Sequence, residues 1–409
     1  MKILAINVGS STLKYRLIDM SSEIIIAKGM CCGIGSCNGT VSYENRESSK
    51  IKITCKLSGY EEVLRKICNI LLDKKIGIIS SLEEIFAVGH RIVHGGAIFK
   101  QSVLIDSRVI KKIESLSCLA PLHNKVQAEA IKACQKVFGN EKKEVAVFDT
   151  AFHSTMPPSA YTFPIPYEYC EKYKIRRYGF HGLSHKFVSE KYAKITGKDI
   201  KRLKLITCHL GSGSSVAAIE NSCVVDTSMG FTPLDGLMMA TRSGSIDPSI
   251  VTFLQKEKNI SADQVNEILN KKSGFLGISG ISDDARNVRR EANNGDKRAI
   301  LACEMLKHQL VKLIGGYISV MNGCDGIIFT AGIGENHWIL RHNVLRHFAY
   351  LGLKIDESLN KNTITRKQGR ISTHDSEIDV FVIPTNEELM VARDTQKVAK
   401  LNTKTTDTA

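Results

Sequence analysis

Two stretches about half a chain apart share one local pattern: an apolar run, a turn rich in glycine and serine, and a second apolar run. The first is Lys2-Ile-Leu-Ala-Ile-Asn7-Val-Gly9-Ser10-Ser11-Thr12-Leu-Lys14-Tyr-Arg-Leu-Ile-Asp19; the second covers Leu203 to Ile219 around Gly211-Ser212-Gly213-Ser214-Ser215. Short apolar runs bounded by such turns predict strands. A repeated unit of this kind predicts two related α/β halves facing one another across a cleft, where small-molecule sites are most often found. Two unrelated hairpins would leave the same trace if nothing else agreed. The 409 residues are too many for one ordinary core and suit two or three domains.

Other elements follow from periodicity. Apolar residues at helical spacing predict a helix over Glu61 to Lys75, with Gly77 as its stop. Val145 to Phe148 is a short strand closed by Asp149, and the Pro-, Ser- and aromatic-rich loop from His153 to Pro166 is the expected crossing into a second domain. Asp296 to Asn322 is one long helix or two abutting ones, leading to a strand at Gly326 to Phe329 and a turn through Ala331-Gly332-Ile333-Gly334.

Composition excludes several classes. With 43% hydrophobic and 24% charged residues and only 8 Pro, the chain is neither disordered nor collagenous. Its most apolar stretch, Leu310 to Phe329, is broken by Lys312, Asn322 and Asp325, short of the roughly 20 apolar residues a membrane span needs. The N-terminal apolar run meets Asn7, Gly9 and Lys14 too early for a signal peptide, which makes a cytoplasmic enzyme the expectation. The net charge of +14 attracts anions. Its basic pairs are scattered, however, with no run of five or more like charges and no interleaved aromatics, so no specific nucleic-acid face is expected. Twelve Cys in such a chain are expected reduced; Cys31, Cys32 and Cys37 cluster without a Cys-x-x-Cys pair or a nearby His.

Glycine-flanked turns leave backbone N–H groups open to a phosphate because no Cβ intervenes. Three occur at strand ends: around Gly9, with Lys14 as a mobile cation; Gly211-Ser212-Gly213; and Gly332-Ile333-Gly334-Glu335-Asn336, expected to precede a helix whose N-terminus favours anions. None is a Walker A loop or a Gly-x-Gly-x-x-Gly fingerprint. No Gly-x-Ser-x-Gly elbow leads into a helix, which disfavours a serine hydrolase. Cationic and acid/base candidates sit in His90-Arg91-Ile92-Val93-His94, at Asp149, in Tyr178-Gly179-Phe180-His181-Gly182-Leu183-Ser184-His185, and between Asp226 and Pro248, which includes Arg242. Phosphoryl transfer needs cations on the equatorial oxygens, an in-line acceptor and Mg²⁺; Arg91, Arg242, His181, Asp149, Asn7 and Glu387 supply those types.

These residues closely resemble the acetate kinase family. The opening Asn7 to Lys14, His90 to Gly96, Leu119 to Asn124, Phe148 to Pro157, Tyr178 to His185, Asp226 to Pro248, Phe329 to Asn336 and Pro384 to Leu389 all match, in family order. The resemblance implies an α/β fold of two duplicated actin-like domains with a cleft between them. Residues 1–152 with 386–409 would form the first, and 153–385 the second, nucleotide-binding one. It implies reversible, direct in-line phosphoryl transfer between ATP and acetate, with Mg²⁺ or Mn²⁺, in a two-fold homodimer. Asn7 and Glu387 would hold the metal. Lys14, His209, Leu210, Gly211, Ser212, Gly213, Asp284, Ala285, Arg286, Gly332, Ile333, Gly334, Glu335 and Asn336 would surround ATP. Arg91 would meet the substrate, Asp149 takes the position of the active-site acid, and His181 and Arg242 would stabilise the transition state. Val93, Leu122, Phe180 and Pro233 match the acyl pocket. Propionate kinase is the alternative within the class, and a non-catalytic, chaperone-like ATP-binding module the alternative outside it. Two departures stand out: Ser212 replaces the usual Asn of the second turn, and Asp235 and Ala240 stand where Glu and Gly are common, expected to be a packing matter.

Overall fold

The computed structural model describes residues 1–404 except Ser48, Pro121 and Leu122, with side chains through residue 401. It divides into two compact units, Met1–Phe152 with Asn386–Ala409, and His153–Thr385.

The first unit is built on an eight-stranded sheet: β1 (Lys2–Val8), β2 (Thr12–Asp19), β3 (Ile24–Cys32), β4 (Ser36–Asn45), β5 (Lys50–Leu57), β6 (Ile85–Ile92), β7 (Val103–Leu104) and β8 (Lys143–Phe148), in the order β5-β4-β3-β2-β1-β6-β8-β7. β1 to β3 form an antiparallel meander, while β6 and β8 run parallel to β1. Parallel strands are covered on both faces, and the alternation along β1 shows how. Leu4, Ile6 and Val8 join a core with Val63, Leu64 and Ile67 of the helix Tyr60–Leu71 and Ala130 and Ala133 of the helix Asn124–Phe138. Ile3, Ala5 and Asn7 therefore share the opposite face, against which the helix Glu387–Lys404 packs. Gly89 of β6 makes that approach possible, since a Cβ there would lie 2.2 Å from Thr395 Oγ1.

The second unit carries a six-stranded sheet, β9 (Lys204–Leu210), β10 (Ser214–Glu220), β11 (Cys223–Thr227), β12 (Gly326–Thr330), β13 (Gly369–Arg370) and β14 (Asp379–Val382), ordered β11-β10-β9-β12-β14-β13. The arrangement repeats: a three-strand antiparallel meander, then two strands parallel to its first member. One face, with Ile206, Cys208, Leu210, Val216 and Ala218, is covered by the helix Lys297–Val320, which buries Ala299, Ala302, Leu306, Leu310, Ile314 and Tyr317 at spacings of three and four. That helix is single, opened by Asp296, whose carboxylate accepts from Ala299 N at 2.8 Å. The other face, with Thr207 and His209, receives the helix Gly182–Thr196.

Two expectations shift. The first helix stops at Leu71, not Lys75, because Asp73 Oδ1 accepts from the N–H groups of Lys75 and Ile76 at 2.8 and 3.1 Å and turns the chain. The Gly332 segment does not precede a helix as a loop; Ala331–Asn336 is itself a short helix, entered through Ala331 at φ 64°, with a second helix over Trp338–Leu345. All twelve cysteines are free thiols, and no described helix is long and apolar enough to cross a membrane.

Because Gly89 sets how closely the last helix approaches β6, Gly89→Ala is expected to cost about 1–3 kcal/mol through overpacking. Exposed Gly316, inside the helix Lys297–Val320, has no atom within 4 Å of an added Cβ; there the same change is expected to stabilise by about 0.5–1 kcal/mol. Urea midpoints of both variants decide; equal shifts in one direction would contradict the packing argument.

Candidate active site

In the first unit the candidate residues gather where strands end. Asn7 stands in register with Arg91 across the parallel pair β1 and β6, so both side chains leave the sheet on the face of the last helix. Asp149 follows β8, and Glu387 begins the helix Glu387–Lys404. Asn386 caps that helix, its Oδ1 accepting from Leu389 N at 3.2 Å and from Arg16 Nη1 at 3.1 Å, and two glutamates in the first turn suit its dipole.

Arg91 is gripped in a fork: Nε donates to Asp149 Oδ1 at 2.9 Å and Nη2 to Asp149 Oδ2 at 2.6 Å. Glu387 Oε2 lies 3.7 Å from the same Nη2. Burial works against the Arg91 charge, but Asp149 and Glu387 outweigh it and hold the guanidinium protonated. Burial pushes Asp149 up to about 6, a rise that Arg91 offsets in part. Two carboxylates on one guanidinium leave one net negative charge, and Asn7 adds an amide oxygen in register with Arg91. An all-oxygen set with surplus negative charge suits a hard divalent cation that keeps several waters. Lys14 pairs in register with Asn7 and is exposed in this unit. Val93 is half-buried, its N–H donating to Gln127 Oε1 at 3.1 Å; Leu122 lies outside the described residues.

The second unit holds a histidine cluster. His181 enters the helix Gly182–Thr196 in the left-handed region at φ 58°, a costly conformation for a residue with a Cβ. Its ring stacks on His209 with centroids 4.2 Å apart. His209 Nδ1 lies 2.7 Å from Ser184 Oγ, so this side chain serves the cluster. A Cβ on Gly213 would meet His181 Nε2 at 3.2 Å and Arg242 Nη1 at 3.6 Å; the bare glycine lets imidazole and guanidinium border one point. Arg242 donates to Pro233 O at 3.3 Å, and among the described residues no carboxylate pairs with it. Burial lowers its pKa, the expected response of a cation lacking an anion. Phe180 is buried in this unit, and Pro233 half-buried.

Beside the second glycine turn lies a cavity of about 650 Å³, within the range of ligand sites. Gly211, Ser212, Asp284, Ala285, Arg286, Gly332, Ile333 and Asn336 line it, together with Ala240, Phe275, Asp283, Arg289 and His337. The structure thus brings most of the expected nucleotide set together. It leaves out Leu210, whose side chain is fully buried in the core. Gly334 and Glu335 turn their carbonyls to buried Arg341, at 2.8 and 2.7 Å. Asp284 caps the helix Ala285–Asn293 and is held by Arg286, whose hydrogen bonds lower its pKa. Ala240 is more than packing, since it faces the cavity. Asp235 is held by polar contacts, accepting from Ser245 Oγ at 2.6 Å and Gly236 N at 2.9 Å, with Arg177 Nη1 3.4 Å away. Phe275, Arg289 and His337 were missed in the sequence; Arg289 follows Arg286 at helical spacing, and His337 directly follows Asn336.

A duplicated fold of this order, with open glycine turns beside arginines, is that of an actin-like phosphotransferase. The particular family follows from comparison with known proteins: the chain belongs to the acetokinase family, whose model matches residues 2–393. It is 52% identical over 401 residues to an acetate kinase of Caldanaerobacter subterraneus, covering 98% of this chain and 99% of that one. It is 50% identical over 401 residues to an acetate kinase of Thermotoga maritima, with the same coverage. Among solved structures, an acetate kinase of Porphyromonas gingivalis superposes with TM-score 0.93 at 40% identity, and a propionate kinase of Francisella tularensis with 0.89 at 41%. In both cases 97% of this chain and 99% of the other are covered.

His337 supplies a pH test. It caps the helix Trp338–Leu345, its Nδ1 accepting from Leu340 N at 3.2 Å, and burial, with Arg289 and Arg341, lowers its pKa to about 4. Unfolded, it takes up a proton near 6.5, so its contribution is present above that pH and is lost as pH falls toward 4. Asp149, raised to about 6, acts with the opposite sign over part of this window, which calls for a difference measurement. His337→Asn keeps a capping side chain without the titration. The loss of unfolding free energy between pH 7 and pH 5 is expected to be about 2 kcal/mol smaller in the variant, read by guanidinium unfolding; identical losses would refute it.

Proposed function

We propose that this chain catalyses reversible phosphoryl transfer between ATP and acetate, giving acetyl phosphate and ADP. The observation that carries the reading is Arg242, a half-buried guanidinium without a carboxylate partner among the described residues, bordering His181 Nε2 at a bare glycine. Such a group favours the binding of an anion whose charge it can stabilise. Nucleotide is assigned to the cavity of the second unit, with Arg286 and Arg289 near its phosphates and the Gly211–Gly213 backbone as cradle. Lys14, His209, Leu210, Gly334 and Glu335 remain proposed members of the nucleotide site, the last three through backbone or second-layer support.

Acetate is already ionised at neutral pH, so no base is needed to create the nucleophile. What opposes the reaction is repulsion between two anions. Arg91 receives the carboxylate and the transferring phosphoryl; Arg242 and His181 donate to that group. Asp149 orients Arg91 through the two-point bond, a task that does not require it to move a proton. Asn7 and Glu387 would hold Mg²⁺, or Mn²⁺ in its place, which when bound neutralises phosphate charge. Val93, Phe180 and Pro233, with Leu122, are the proposed acyl-methyl contacts. The reaction is placed in the cytoplasm, and the molecule is proposed to be a homodimer; light scattering should give twice the 45.2 kDa chain mass.

Propionate is the second reading, favoured by the similarity to the Francisella propionate kinase. The curated relatives at 51–52% identity bear the name acetate kinase, which supports acetate. One methylene in an apolar pocket shifts preference by only about 10- to 200-fold. Acetate, propionate and butyrate assayed at fixed ATP and Mg²⁺ are expected to give kcat/KM falling in that order, and a maximum at propionate would overturn the acetate assignment. In the same assay Arg91→Ala and Arg242→Ala are each expected to lose at least about 100-fold in turnover. Near-normal acetyl phosphate formation by either folded variant would remove it from the mechanism.

A further inference from the structure

We propose that Ser215 is a positioning residue whose hydroxyl fixes His181 as the tautomer carrying its proton on Nε2, the nitrogen that borders Gly213 and Arg242. The inference deepens the role given to His181 above and rests on it.

Three short contacts join four side chains in a line. Thr207 Oγ1 lies 2.6 Å from His185 Nδ1, His185 Nε2 lies 2.8 Å from Ser215 Oγ, and Ser215 Oγ lies 2.9 Å from His181 Nδ1. Thr207, His185 and Ser215 are fully buried, between the sheet and the helix Gly182–Thr196. Each hydroxyl has one proton to give, and a neutral imidazole has one N–H and one lone pair. Burial keeps His185 neutral, reinforced by His153 and His209; their rings stand edge-on to it at 5.7 and 6.3 Å.

Only two directions of donation then run through the whole line. In the first, Thr207 donates to His185 Nδ1, His185 Nε2–H donates to Ser215, and Ser215 donates to His181 Nδ1. His181 is left with its proton on Nε2, ready to donate. In the second, His181 Nδ1–H donates to Ser215, Ser215 to His185 Nε2, and His185 Nδ1–H to Thr207. A neutral His181 would then turn a lone pair toward a phosphoryl oxygen, which repels it. Restoring a donor there would take an imidazolium next to the Arg242 guanidinium, which like charge disfavours. The first direction gives a neutral donor and avoids that penalty. The stacked His209 and the left-handed backbone at His181 hold the ring where Ser215 can reach it. When a group fixing a histidine tautomer is lost, the ring can remain in place and still present the wrong nitrogen.

The test uses the full-length protein labelled with ¹⁵N-histidine, His181→Gln identifying the signals of His181. Long-range ¹H–¹⁵N correlation then shows which ring nitrogen bears the proton. Wild type is expected to show Nε2–H, and Ser215→Ala a mixture of tautomers. Turnover of Ser215→Ala is expected to fall about 10- to 100-fold, with KM for acetate and ATP within about 2-fold, while Ser215→Thr, which keeps a hydroxyl, recovers most of it. If Ser215→Ala does not fold, Thr207→Val, which removes the first donor, is read the same way. An Nδ1–H tautomer in wild type, or an unchanged tautomer in the folded variant, overturns the proposal. Normal turnover in His181→Ala would instead sink the role of His181 while leaving the tautomer result standing.

Discussion

The two-point bond between Arg91 and Asp149 is the interaction on which the first unit's site depends. A partly desolvated guanidinium is stabilised when carboxylates compensate its charge, and Asp149 does so at 2.6 and 2.9 Å. The fork fixes direction as well as charge, because a planar guanidinium bonded through Nε and Nη2 has one orientation left. Its remaining edge has Glu387 3.7 Å away, a distance at which an arriving anion or cation can alter the pairing. Asp149 is restrained in turn by its place after β8, with its N–H donating to Ile92 O at 2.9 Å. Ladder pairing, then the ion pair, then the free edge form a chain of causes from sequence register to reactivity.

The second unit answers the same electrostatic problem differently. Arg242 has carbonyl and thioether contacts in place of a carboxylate, so it carries an unmet charge. His181, stacked on His209, stands at the point it borders, and serine hydroxyls, those of Ser215 and Ser184, not acids, hold the two rings at 2.9 and 2.7 Å. A carboxylate here would neutralise Arg242. Hydroxyls orient the rings without adding charge, so the positive charge at this point stays unpaired among the described residues.

Much of this was legible in the chain. The two glycine-serine turns marked the first hairpin of each meander, and the apolar spacing after Asp296 marked the helical stretch, though not whether it was one helix or two. Arg91 and Asp149 stood out as polar residues at the ends of apolar strands, and Glu387 took its role from the family resemblance. Their juxtaposition did not, because β1, β6 and β8 meet through parallel pairing across long separations, which local periodicity does not encode. The same limit hid the Thr207–His185–Ser215–His181 line, whose members come from two strands and a helix. The end of the first helix was misjudged because the Asp73 side chain competes for backbone donors. The Gly332 segment was misjudged because a left-handed residue at Ala331, where no glycine signals it, starts the helix early.

Ser212 tests how far the cradle depends on side chains. Its carbonyl accepts from Ala240 N at 3.2 Å, and Gly211 N donates to Gly213 O at 3.1 Å. The turn is therefore tied down by its own backbone and by the Ala240 segment lining the same cavity. A backbone anchored this way keeps its shape whether residue 212 carries a hydroxyl or a carboxamide. The shape of the turn therefore comes from its backbone hydrogen bonds and not from the residue 212 side chain, while Arg286, paired with Asp284, and Arg289 are the cations that line the cavity.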